Sequence, residues 1–224
     1  MILVAVETSS PLFSVAAWKD GAVVKELKAD GMGQPSVLLT DWIDQVLKAA
    51  GCAPEEIDGF AISVGPGSFT GLRVGIMAVK TIAWVLKKPI LPVSSLEVIA
   101  WNLDPGTETG CVFVDARKKK VYTASFSSDR QGNVSRLTPD RLVSPEEALA
   151  GLPDEAVILG DGIRRYRDLF KGNRFRIAAE SAWAPAAGRL ARIAAARWPQ
   201  GLLDDPHRLV PQYLYSQESD ITGW

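Results

Sequence analysis

The residue types most able to support chemistry crowd into Gly65-Pro66-Gly67-Ser68-Phe69-Thr70-Gly71-Leu72-Arg73-Val74-Gly75, between the apolar runs Phe60 to Val64 and Ile76 to Leu86. This is the pattern of a strand, a loop and a helix. Gly65, Gly67, Gly71 and Gly75 allow positive φ and close approach of backbone, Pro66 fixes one φ, and Ser68 or Thr70 can cap the helix. Two uses follow. Unpaired N–H groups at a helix start attract phosphate, or the glycines serve a tight structural turn. The stretch lacks the Gly-Lys-Ser/Thr ending of a P-loop and the spacing of a dinucleotide fingerprint.

Other stretches carry fewer such groups. Glu7-Thr8-Ser9-Ser10-Pro11 sets one carboxylate beside three hydroxyls, which could hold a metal or phosphate or form a hydrogen-bonded turn. Arg117-Lys118-Lys119-Lys120 offers four successive cations, suited to phosphate or RNA, or to an exposed charged turn between strands. Cys52 and Cys111 make neither a disulfide framework nor a zinc spacing and read as reduced cytoplasmic thiols. His207 is the single histidine, so neither a multi-histidine metal set nor a Ser-His nucleophile can be assembled convincingly.

Positioning these residues falls to an α/β chain. Ile2 to Val6, Phe13 to Trp18 and Ala22 to Leu27 read as strands, with Asp20-Gly21 as a hairpin turn. Val37, Leu38, Leu39, Trp42, Ile43, Val46 and Leu47 fall at helical spacing. From Leu72 to Leu86 only Arg73, Lys80 and Thr81 are polar, and they share one narrow face. A helix this apolar is either central in its domain or covered by a partner chain. Ile90 to Val93 adds a strand, and a helix runs through Trp101.

Asp104-Pro105-Gly106 is the best linker, dividing the chain into lobes 1–103 and 104–224. Beyond it come strands at Cys111 to Val114, Val121 to Phe126 and Ala156 to Leu159, and helices at Pro145 to Ala150, up to Phe170, and at Ala184 to Trp198. The second half reads as a smaller, divergent copy of the first. This predicts an α/β, two-lobed actin/hexokinase-like (ASKHA) architecture with a degenerate second lobe.

With 224 residues, 47% of them hydrophobic, the chain can bury a substantial core. A net charge of −1 argues against strong nucleic-acid binding by the chain alone. Met1 to Val6 has no basic flank and meets Glu7, so it reads as a strand rather than a signal peptide. No apolar run is expected to span a bilayer, and the expected location is the cytoplasm.

Val4-Ala5-Val6-Glu7-Thr8-Ser9, the glycine block, Val114-Asp115-Ala116-Arg117 with Val121-Tyr122, and Pro211-Gln212-Tyr213-Leu214 together resemble the bacterial TsaB family, also called YeaZ, over almost the whole chain. The resemblance implies a non-catalytic subunit that binds and activates TsaD, the enzyme that transfers a threonylcarbamoyl group to adenosine 37 of tRNAs reading A-starting codons. It implies TsaE as a further partner, tRNA met through the complex, a homodimer when alone, and no membrane partner. No cofactor is expected for the isolated chain, and ATP or ADP only within the complex. TsaD-like relatives hold a metal with paired histidines on the helix matching Val37 to Ala50, where this chain has none.

The resemblance also gives the apolar helices a use, as the surface that packs on TsaD. Leu38, Trp42, Val46, Ile76, Val79 and Ala83 are expected to contribute to it. Gly65, Pro66, Gly67, Ser68, Thr70, Gly71, Arg73 and Gly75 are expected to be structural, and Arg117, Lys118, Lys119 and Lys120 are candidate RNA contacts. Two other readings are a direct tRNA-binding module that adds Arg164, Arg165 and Arg167, and an independent metal-free enzyme on the same fold. The chain departs from the family pattern in having Glu7 where Asp is usual and Tyr215 where Arg is common. Gly160-Asp161-Gly162 resembles a remnant of the nucleotide loop of the catalytic relative.

Overall fold

The computed structural model describes residues 1–30, 35–172, 174–201 and 203–215, and only the backbone of 35–37. Two compact units emerge. One comprises residues 1–98 with 185–211, the other residues 99–184 with those described from Gln212 onward.

The first unit opens with β1 (Ile2–Glu7), β2 (Leu12–Lys19) and β3 (Ala22–Asp30), an antiparallel meander. Asp20 and Gly21 both take positive φ (50° and 94°), as a two-residue turn between twisted strands requires. After α1 (Pro35–Ala49) come β4 (Gly59–Gly65), α2 (Phe69–Leu86), β5 (Ile90–Ser94) and α3 (Ser95–Ala100). β4 lies parallel to β1 and β5 parallel to β4, giving the order β3-β2-β1-β4-β5.

β1 is a run of apolar residues because both faces of the sheet are covered. Val4, Val6, Val15 and Ala17 pack with Leu39, Ile43 and Val46 of α1 and with Leu72, Ile76 and Val79 of α2. The alternate residues point the other way, and there Ser14 Oγ accepts the backbone N–H of Ala187 at 2.8 Å. Ala187 opens α6 (Ala187–Arg197), a helix packed on β1, β2 and β3. Its next N–H, from Gly188, is accepted by Glu26 Oε1 of β3, also at 2.8 Å. The sheet therefore supplies the cap that the α6 sequence lacks, with a carboxylate at the positive end of the helix dipole.

The second unit repeats this plan. It contains β6 (Gly110–Asp115), β7 (Val121–Ser128), β8 (Val134–Arg136), β9 (Arg141–Val143), α4 (Pro145–Leu149), β10 (Val157–Leu159), α5 (Gly162–Arg165) and β11 (Arg176–Ile177). The order β11-β10-β6-β7-β8, with β6 to β8 antiparallel and β6, β10 and β11 parallel, repeats that of the first sheet. β9 pairs with β7. Two α/β units of one topology are the expected actin/hexokinase-like class, and the two-residue fifth strand marks the second as reduced.

The expected division at 103/104 needs correction. Residues 185–211 pack with the first unit rather than continuing the second. The reason is physical: Ala187, Gly188, Ala191 and Ala194 let α6 lie close on the first sheet, where Ser14 and Glu26 satisfy its leading N–H groups. The following residues stay with that unit. Trp198 sits where any side chain on Gly59 would be, 2.4 Å from an added Cβ, and Lys80 Nζ donates to the Leu209 carbonyl at 2.9 Å.

Candidate functional site

The glycine block closes onto the first turn of its own chain. β4 ends at Gly65 with φ +111°, the Gly65–Pro66 peptide is cis, and Ser68 Oγ caps α2 by accepting the Gly71 N–H. A Cβ on Gly67 would lie 2.3 Å from the Ser9 carbonyl oxygen, one on Gly71 2.1 Å from that of Thr8, and one on Gly75 2.1 Å from Thr8 Oγ1. Spaced by four, these glycines form a single stripe at the start of α2. Ser68 N–H seals the contact by donating to the Ser9 carbonyl at 2.7 Å. What the glycines cradle is the backbone of Thr8 and Ser9 and the Thr8 side chain, and the structural-turn reading accounts for them.

Glu7 holds that turn from below. It is fully buried; Oε1 accepts the Ser9 N–H at 2.7 Å and Oε2 accepts a hydrogen bond from Ser63 Oγ. Burial pushes its carboxyl above the usual range, against the opposing pull of the bonds from Ser63 and Ser9. The carboxylate that the sequence offers to a metal or phosphate is thus turned inward and spent on its own turn. Thr8 Oγ1, pressed against Gly75, is buried without a hydrogen-bond partner among the described residues.

The residues expected to meet a partner divide. Val46, Ile76, Val79 and Ala83 are core residues of the first unit, exposed by 2% or less, so the expectation that they form a contact surface is corrected. Leu38 and Trp42 are half-buried, Trp42 stacking on Phe13 with ring centroids 4.7 Å apart. The outer side of α2 instead exposes Phe69 (54%), Met77 (60%), Trp84 (62%) and Val85 (66%). Arg73 and Thr81 lie on this same side, with the Arg73 guanidinium 3.8 Å above the Phe69 ring. An apolar row therefore runs through the polar residues of this side. Its signal was the spacing 69, 73, 77, 81, 84/85, one residue per turn.

α2 also corrects the membrane expectation. At 18 residues and mean hydropathy 1.4 it is long and apolar enough to cross a bilayer by length and composition. Its apolarity has a local account: Leu72, Ile76, Val79 and Ala83 fill the core, and the remainder is the uncovered outer row.

In the second unit, Arg117 to Lys120 form the exposed turn between β6 and β7. Arg117, Lys118 and Lys119 all take positive φ (64°, 46° and 56°). The turn is closed by Ala116 N–H to the Lys120 carbonyl at 3.0 Å and Lys120 N–H to that of Arg117 at 2.8 Å. Asp115 Oδ1 accepts the Arg117 N–H at 3.0 Å, and its Oδ2 lies 3.6 Å from both the Arg117 and Arg165 guanidinium groups. Asp161 Oδ1 accepts the Asp115 N–H at 3.0 Å; burial raises its carboxyl above the usual range. Tyr215 OH donates to the Ala116 carbonyl at 2.9 Å. Gly160 and Gly162 pack on β6, their added Cβ atoms falling 2.4 and 2.8 Å from Phe113. Of the other arginines, Arg164 is held by Glu180, and Arg167 is exposed.

A sequence model of the family described as TsaD, tRNA N6-adenosine threonylcarbamoyltransferase, matches residues 34–196. The tRNA threonylcarbamoyladenosine biosynthesis protein TsaB of Bacillus subtilis (strain 168) is 27% identical over 226 residues, covering 98% of this chain and 96% of its own. Its namesake from Escherichia coli (strain K12) is 28% identical over 220 residues, covering 96% and 94%. The solved structure of YeaZ from Pseudomonas aeruginosa superimposes with a TM-score of 0.84 at 26% identity, covering 95% of this chain and 99% of that one. The chain belongs to the TsaD family, in its TsaB (YeaZ) branch.

The TsaD match takes in the glycine block, α2, the basic turn and nearly all of α6, whereas the TsaB relatives extend over the tail as well. Family membership therefore attaches to the whole two-unit plan. In this TsaB-branch chain His207 lies beside the end of α2, edge-on to Trp84 with centroids 6.1 Å apart. Among the described residues no three His, Cys, Asp or Glu side chains gather as a metal site.

Proposed function

We propose that the chain is the non-catalytic subunit that binds TsaD and activates it for threonylcarbamoyl transfer to adenosine 37 of tRNAs reading A-starting codons. The TsaB branch carries the name of tRNA threonylcarbamoyladenosine biosynthesis, and that pathway is the frame of this reading. The observation that carries the finer role is the outer row of α2, where Phe69, Met77, Trp84 and Val85 stand exposed on one helix. A row of large apolar side chains on a rigid helix fits a protein partner better than a small substrate. In the complex the chain acts on TsaD through this surface, with TsaE as a further partner and tRNA met through the complex. Alone it pairs with a second copy through the same row, it has no cofactor or turnover of its own, and ATP or ADP enters only with the assembled complex. Its working place is the cytoplasm.

The inward-facing Glu7 and the glycines closed on Thr8 and Ser9 support a scaffold rather than a catalyst, since the groups best placed for chemistry are used to hold the fold. The test is threonylcarbamoyl transfer to tRNA by the cognate TsaD with TsaE and threonylcarbamoyl-AMP. Transfer is expected to need the native chain and to fall sharply with Trp84→Ala. Equal transfer without the chain would overturn the proposal.

A further inference from the structure

Two cations of the β6–β7 turn take no part in holding the fold. Lys119 and Lys120 are exposed, and their ammonium groups meet no carboxylate or other partner among the described residues. Close by, Arg117, Lys118 and Arg165 bring the cations to five, against the carboxylates of Asp115 and Asp161. Such an excess stands out in a chain of net charge −1.

The backbone presents these charges in a fixed way. Three successive residues other than glycine sit in the left-handed region, a conformation that side chains resist and that Gly or Asn would adopt freely. The turn keeps it because it is braced: Asp115 holds the Arg117 N–H, Tyr215 OH holds the Ala116 carbonyl, and the Tyr215 ring lies edge-on to Tyr122 at 6.3 Å. The Lys118 ammonium lies 5.9 Å from the centre of the same ring. A strained turn, propped by an aromatic ring and made of cations, is organised for presentation rather than for packing.

We propose that Arg117–Lys120 is an RNA-backbone contact, in which Lys119 and Lys120 neutralise successive phosphodiester groups while Arg117 and Tyr215 hold the turn in shape. RNA suits the turn better than a membrane does, because no exposed apolar residue stands within it to enter a bilayer. The proposal rests on the tRNA part of the reading above and is independent of how α2 is covered.

The experiment titrates a labelled tRNA transcript with the chain–TsaD complex and with the chain alone, from about 50 to 250 mM salt, a range over which phosphate contacts weaken measurably. Native protein is compared with Lys119→Gln/Lys120→Gln and with the charge-keeping Lys119→Arg/Lys120→Arg. Circular dichroism melts and the affinity for TsaD are followed in parallel and are expected to be unchanged. The slope of log K against log salt is expected to shrink by about 1.4 to 1.8 in the glutamine variant, from roughly 0.7 to 0.9 per phosphate lost, and to stay native in the arginine variant. An unchanged slope, or no measurable RNA binding by native protein at low salt, would overturn the proposal. So would loss of binding to phosphatidylglycerol vesicles with RNA binding intact, which would assign the turn to a lipid surface. Failure of the chain to bind TsaD would count against the activator reading alone, since the RNA slope is also read on the isolated chain.

Discussion

Replacing Glu7 by Gln is expected to stabilise the protein, and increasingly so as pH rises. The glutamine amide oxygen can accept the Ser9 N–H, and its NH2 can meet Ser63 Oγ once that hydroxyl turns from donor to acceptor, so both contacts are kept without a charge to bury. The sign follows from linkage. Burial raises the folded-state titration of Glu7 above the ordinary 4.5, so the folded state binds the proton more tightly than the unfolded chain. The contribution of Glu7 is therefore fully present below pH 4.5 and is lost as pH climbs toward the folded-state value. Within that window the gap between variant and native protein should widen by up to about 1.4 kcal/mol per pH unit. For a chain of this size that is about 3 to 6 °C in Tm per pH unit. The assay is a set of thermal melts of both proteins at half-unit steps from pH 4 upward; other titrating groups cancel in the difference. Curves that stay parallel, or a variant that loses ground with rising pH, would refute the buried-proton account of this turn.

Three more outcomes follow from the packing. Gly71→Ala places a Cβ 2.1 Å from the Thr8 carbonyl oxygen, so backbone must move; the cost expected is about 1 to 3 kcal/mol or more, read as a lower urea midpoint at unchanged m. Ser14→Ala leaves the Ala187 N–H without its acceptor and should cost about 1 to 2 kcal/mol, with hydrogen exchange rising first along α6. Glu26→Gln keeps an acceptor for Gly188 and gives up the charge at the helix end together with the half-exposed pair to Lys28, for about 0.3 to 1 kcal/mol.

Much of the fold could be read along the chain. The β1 to β3 meander, the β4–loop–α2 unit and the repeat of strands after residue 110 follow from apolar runs and turn residues that act locally. α6 could not be assigned to its sheet that way, because the acceptors that fix its start lie 173 and 162 residues earlier, in Ser14 and Glu26. β8 and β9, three residues each with Val143 the single buried position, leave almost no periodic signal. At the candidate site, the glycine stripe was visible but its occupant was not, since nothing local says that Thr8 and Ser9 fill it. The α2 surface was legible as an apolar excess on one helix. Which side faces out depends on the sheet beneath it, which buries Ile76, Val79 and Ala83 and leaves Met77 and Trp84 exposed.

Equilibrium binding of the cognate TsaD to native chain, Trp84→Ala and Ile76→Ala, with the melting curve of each, bears most directly on the role of α2. Trp84 is 62% exposed, and a tryptophan presents up to about 250 Å², so burying it removes about 150 Å² from water, or about 4 kcal/mol at about 25 cal/mol per Å². Allowing for incomplete burial, Trp84→Ala should weaken binding by about 2 to 4 kcal/mol, roughly 30- to 1,000-fold in Kd, at an unchanged Tm. Ile76→Ala should do the reverse, costing about 2 to 5 kcal/mol of fold stability from the core while its remaining folded fraction binds normally. Native affinity in Trp84→Ala would contradict the account, because the outer row of α2 would then not be the surface that meets TsaD.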